Sequence, residues 1–196
     1  MQIKTALKEW SVAVDALAQG ETIMLLRKGG IKEQQGKFSA EADRAVLFPT
    51  FEHQKPELLK PQYRARVKPV EKGWHPQTIT LKAWADITHI FLTDEADKVE
   101  ALSAFHIWQA QLAQERLKWK PKQPLYVLTL RVYRFAEPIA VSWQATYGGC
   151  KSWIGLAQGV EAQLNEPVIE GDCYDEQVAD IAHVLQANPA QAARLA

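Results

Sequence analysis

A chain of 196 residues in which 23 lysines and arginines balance 23 aspartates and glutamates has no global field of the kind that draws a protein onto nucleic acid or membrane. Any polyanion site must therefore be a local patch, and the length suits one domain with a substantial core. Two cysteines, Cys150 and Cys173, no basic-then-apolar leader and no apolar run long enough to span a bilayer give the expectation of a cytoplasmic protein with reduced thiols.

In chain order, Leu7, Trp10, Val14 and Leu17 recur every three or four residues, which predicts an opening helix over 6–17 that Gly20 stops. Residues 22–26 and 44–51 are short apolar runs and read as two strands, with LLRKGGIKEQQGKF (25–38) as part of their connection. A helical turn is expected within 52–59. Pro61, Pro69 and Pro76 then interrupt a basic loop or edge that carries Lys60, Arg64, Arg66, Lys68 and Lys72. Alternating apolar residues over 78–92 predict a long strand, or two joined ones with a bulge near Trp84. Residues 94–102 favour helix, and Ser103 is a candidate cap for a second helical segment in which Trp108, Leu112, Glu115 and Trp119 recur about once per turn. Residues 125–135 are apolar on both faces and so read as a central strand. A short strand is expected at 152–156, and Val178, Ile181 and Leu185 predict a closing helix before Pro189.

Strands interleaved with few helices, without regular βαβ alternation, point to an α+β fold with a small curled or barrel-like sheet and flanking helices. The expected organisation is one α+β domain over 1–160 and a C-terminal helical extension over 161–196.

Chemistry is sparsely signalled. The five histidines are scattered, with no HExxH and no paired CxxC, so no metal site is assigned. Cys150 in YGGCKSW lies beside Gly149 and Lys151, a setting that could expose a thiolate, yet a buried structural cysteine is the expected role. Glu33, Glu52 and His53 offer pieces of a metal-dependent phosphodiesterase. Three basic clusters stand near aromatic rings: Arg27, Lys28 and Lys32; the stretch 60–72 with Tyr63 and Trp74; and Lys118, Lys120 and Lys122 with Trp108 and Trp119. Cations that grip phosphates and rings that stack on bases are what single-stranded or flipped-base recognition requires, although most of the seven tryptophans are expected to fill the core.

Taken as a set, KEW (8–10), LLRKGGI with Glu33, LFPTFEHQ (47–54), FHIW (105–108), PLYVLTLRVYRF (124–135) and YGGCKSW (147–153) resemble a bacterial family catalogued as domain of unknown function 1802, DUF1802. A weaker resemblance, carried by GETIMLLRKGG, LKAWADITHIF and YVLTLRVYRFAEPIAV in that order, is to PUA-like domains of the ASCH and EVE branches. That second resemblance implies a PUA-like pseudo-barrel, many examples of which bind RNA or modified nucleobases in a cleft beside the barrel. The long stretch between 28 and 78 and the neutral charge depart from it.

Together these features suggest a nucleic-acid or modified-base binding domain without catalysis. Its partners would be RNA or single-stranded DNA, and no cofactor is assigned. Arg27, Lys28, Gly29 and Gly30 would form a phosphate-approaching loop, and Glu33, His53, Gln54, Trp108 and Trp153 complete the expected ligand-binding set. The alternatives are the phosphodiesterase and a protein-interaction module built on exposed tryptophans.

Overall fold

In the computed structural model, β1 (Gln2–Trp10) runs straight into α1 (Ser11–Gln19). The structure describes residues 1–28, 31–34, 37–119, 123–163 and 165–187, with backbone alone at 31–34 and 37–39. There follow β2 (Met24–Arg27), the hairpin strands β3 (Ile31–Gln34) and β4 (Lys37–Ala40), and β5 (Arg44–Thr50). A short 3-10 turn at Pro56–Leu58 and the single-turn α2 (Pro61–Arg64) precede β6 (Thr78–Thr93). Then come α3 (Ala96–Ala101), α4 (Ala110–Lys118), β7 (Leu125–Ser142), β8 (Trp153–Glu161) and α5 (Gly171–Leu185).

Six strands form one open sheet in the order β2-β7-β6-β5-β1-β8, and β3 and β4 form a separate two-stranded sheet. The β1–β5 pair is parallel and the rest are antiparallel. The fold is thus α+β. Its spine is the β6–β7 ribbon, paired from Thr78 opposite Ser142 to Thr93 opposite Leu125, with register shifts at Leu81/Ala83 and Ile87/His89. Such shifts bend a ribbon and increase its twist.

Because side chains alternate across a strand, β5 feeds two cores: Ala45 and Leu47 join the helices on one side, while Val46 and Phe48 join Trp84, Phe135 and Tyr147 on the other. Residues 125–135 are apolar on both faces for this reason, and β7 lies between β2 and β6 inside the sheet.

The opening helix begins later than the spacing predicts. Leu7 and Trp10 belong to β1, because pairing with β5 on one side and β8 on the other outweighs local periodicity. Leu7, Val14 and Leu17 still enter one core, so their shared face crosses a strand-to-helix junction. Gly20, at φ 75, closes α1 in the left-handed conformation, and a Cβ there would sit 3.2 Å from Val168 and Ile169. Ser103 does not cap α4. It lies in a 3-10 turn over Leu102–Phe105, and α4 starts only at Ala110, after Trp108. LLRKGGIKEQQGKF holds the end of β2, all of β3 and the start of β4.

At the other end, α5 packs Tyr174, Val178, Ile181, Ala182 and Leu185 into the same core as α1 and β2. The Tyr174 hydroxyl lies 2.5 Å from Thr88 Oγ1, which is 2.9 Å from Thr129 Oγ1. No helix among the described residues is long and apolar enough to cross a membrane.

Candidate functional site

The parallel pair places the C-terminal ends of β1 and β5 side by side, with Trp10 opposite Thr50. At these ends lies a cleft of about 750 Å3, also bordered by the end of β2, the end of α4, residues 74–76 and the loop 147–153. Its volume falls in the range of small-molecule sites.

The floor is ionic. Glu9, 6% exposed, accepts the Trp10 backbone N–H on Oε1 and Arg27 Nη1 on Oε2, both at 2.9 Å. Arg27 Nη1 also donates to the Lys8 carbonyl at 3.1 Å. Arg116 comes from α4, donates through Nη1 to the Leu26 carbonyl, and holds its guanidinium 5.3 Å from the Trp108 ring centre. Burial pushes the Arg116 pKa down; Glu9 opposes that shift and Arg27 adds to it. Lys8 Nζ donates to the Tyr147 and Gly149 carbonyls at 2.6 and 2.8 Å, tying YGGCKSW to β1. Burial also lowers the Lys8 pKa, against the pull of Cys150 and Glu52. Among the described residues, Lys8, Arg27, Lys28, Arg116 and Lys151 border the cleft, with Glu9 and Glu52 as the carboxylates. A chain of zero net charge thus concentrates positive charge here.

The rim is aromatic. His75 stacks on Trp143 with ring centres 3.4 Å apart and planes 2° from parallel. Trp74 meets Phe51 edge-on at 5.9 Å, and Glu52 accepts the Gly73 backbone N–H, which pins this segment beside β5. Trp74 and Trp119 are 45% and 59% exposed. Five of the seven tryptophans border the cleft; of these Trp10, Trp143 and Trp153 also pack partly buried against the cores, to which Trp84 and Trp108 belong outright.

Of the residues singled out from sequence, Arg27, Lys28, His53 and Trp153 meet at this cleft. Lys28 is buried and donates through Nζ to the Gln123 carbonyl; burial lowers its pKa against the pull of Asp94. His53 is exposed with φ 62, a left-handed conformation that histidine tolerates better than most side chains. Gln54 points elsewhere: its Oε1 accepts the Ser11 hydroxyl at 3.2 Å and the Val12 N–H at 3.3 Å, satisfying the start of α1. Trp108, 1% exposed, packs edge-on against Trp10 at 5.0 Å inside the core. Gly29, Gly30 and the Glu33 side chain lie outside the described residues, so only Glu52 and His53 of the phosphodiesterase set can be placed, adjacent in the turn after β5. Among the described residues no three metal-ligating side chains come together. Cys150, expected to be buried, is exposed at the cleft, and the Cys173 thiol is also free and exposed.

Sequence reasoning overlooked Lys8, Glu9, Arg116, His75 and Trp143 as site residues. A usable signal existed for some of them, since KEW, LFPTFEHQ and YGGCKSW all supply cleft residues, whereas FHIW places Trp108 in the core.

Among curated proteins no relative matches. Among solved structures, the chain is similar to crystal structures of two ZmASCH variants from Zymomonas mobilis, one with a serine replaced by alanine and one with a tyrosine replaced by phenylalanine. Both are 11% identical over 90% of this chain, covering 94% and 96% of theirs, with TM-scores of 0.44 and 0.45. The family model described as "Domain of unknown function (DUF1802)" matches residues 6–180, nearly the whole described chain, and the protein belongs to that family.

Proposed function

We propose that this protein binds single-stranded nucleic acid or a modified nucleobase in the cleft, without itself performing chemistry. One observation carries the reading: an aromatic rim that includes a preformed His75–Trp143 stack belongs to a cleft that, among the described residues, is bordered by five cations and two carboxylates. Rings accept the face of any base, stacking is worth about 1–3 kcal/mol per base, and cations below them take the phosphates. Neutral overall charge fits a site that relies on a local patch rather than a long basic track.

The test is quenching of tryptophan fluorescence by short single-stranded RNA and DNA, first at about 50 mM salt and then at physiological salt. Saturable quenching that weakens as salt rises is expected, with Trp143→Ala lowering affinity by about tenfold through the lost stacking surface. Absence of quenching at the lower salt would overturn the reading.

A further inference from the structure

The protein bonds of both floor arginines use only Nη1: Arg27 Nη1 serves the Lys8 carbonyl and Glu9, and Arg116 Nη1 serves the Leu26 carbonyl. The Nε–Nη2 edge of each guanidinium has no partner among the described residues. Neither edge is sealed: among the described residues the buried side-chain nitrogens without a partner are those of Trp84, His106 and Arg131, none of which borders the cleft, and no nitrogen of Arg27 or Arg116 is one of them. That edge is the planar fork that grips phosphate or carboxylate through two parallel hydrogen bonds. Both arginines are fixed in advance, Arg27 by Glu9 and Arg116 by the Trp108 face, so little side-chain entropy remains to be lost on binding.

Charge calls for the same occupant. Two guanidiniums share one carboxylate, and Arg27 disfavours the charged form of Arg116. An anion between them relieves that repulsion. Depth narrows the choice further: the Arg27 side chain is 10% exposed, whereas Trp74 and Trp119 at the rim are 45% and 59% exposed. An internal phosphodiester could reach the floor only if the nucleosides on both sides followed it into the cleft. A terminal phosphate needs only one, and as a monoester it carries about −1.5 to −2 charges at pH 7.

Resting on the nucleic-acid reading above, we infer that the cleft is selective for a phosphorylated chain end, with the terminal phosphate held by the Nε–Nη2 edges of Arg27 and Arg116 and the adjoining base at the tryptophan rim. The test is titration of the full chain with one trinucleotide in three forms: 5′-phosphorylated, 3′-phosphorylated and with both ends hydroxyl. One phosphorylated form is expected to bind about tenfold or more tightly than the hydroxyl form, as charge-assisted forked bonds imply. Arg116→Lys, which keeps the charge and the stem but removes the fork, should abolish that preference, read as the ratio of the phosphorylated to the hydroxyl affinity. Equal binding of all three forms, or a preference that survives in Arg116→Lys, would overturn this inference and leave the base-binding reading standing. No binding of any form would overturn both.

Discussion

The Glu9–Arg27 pair, with side chains 6% and 10% exposed, decides what substitutions in the cleft report. Removing one partner of a buried pair leaves the other charged and unsatisfied, so Arg27→Ala is expected to cost about 3–5 kcal/mol of stability, read as a large fall in denaturant midpoint. It cannot serve as a clean binding variant. Lys151 can, because it is exposed at the cleft mouth: Lys151→Ala should weaken nucleic-acid binding while the melting temperature holds. A fall of several degrees would show a structural role instead. His106 makes a separate residue-scale prediction. Its Nδ1 accepts the Trp108 N–H at 3.2 Å, and burial, helped by Lys60, lowers its pKa from 6.5 to about 4. Between those values the unfolded chain binds the extra proton and the folded one does not. The contribution is therefore complete above about pH 6.5 and is lost as pH falls toward 4, to a limit of about 3 kcal/mol. His106→Asn, which retains an acceptor, should flatten that part of the stability–pH curve; an unchanged slope would contradict the assignment.

At the scale of elements, local pattern and tertiary pairing disagree in an instructive place. The 3.6-residue spacing of Leu7, Trp10, Val14 and Leu17 is real, but it belongs to a core that β1 and α1 share, and only the pairing of β1 with β5 and β8 reveals where the helix starts. No window of sequence contains that pairing. By contrast β7, apolar on both faces, and the amphipathic α5 were legible because their burial follows directly from period. The polar contacts that fix α5 were not legible: Tyr174 meets Thr88, and Arg131 both pairs with Asp175 and lies 4.5 Å over the Tyr174 ring. Tyr174→Phe keeps the packing and removes the hydroxyl, so it should cost about 0.5–1.5 kcal/mol, the net worth of one hydrogen bond, because Thr88 Oγ1 keeps Thr129 and His89 as partners. A neutral effect in chemical denaturation would mean that apolar packing alone holds α5.

For the whole molecule, the site is made by convergence of remote segments. Arg116 reaches a carbonyl 90 residues away, and Lys8 binds carbonyls 139 and 141 residues away. Individual cations and rings can be read from sequence, as Arg27, Lys28, His53 and Trp153 were, but their company cannot. Trp108 and Gln54 look equally suitable from sequence, yet one fills the core and the other satisfies a helix start. The same convergence explains how a chain with no net charge presents a cationic cleft: among the described residues, five cations but just Glu9 and Glu52 of the carboxylates stand at its walls.

The seven indole N–H groups distinguish this arrangement directly in a proton–nitrogen NMR spectrum recorded during titration with a short single-stranded RNA. Binding in the cleft predicts saturable shifts of the Trp74, Trp143 and Trp153 signals, while that of buried Trp84 stays in place. Saturable binding that leaves all three cleft indoles unmoved would contradict the account and place the ligand on another face of the molecule.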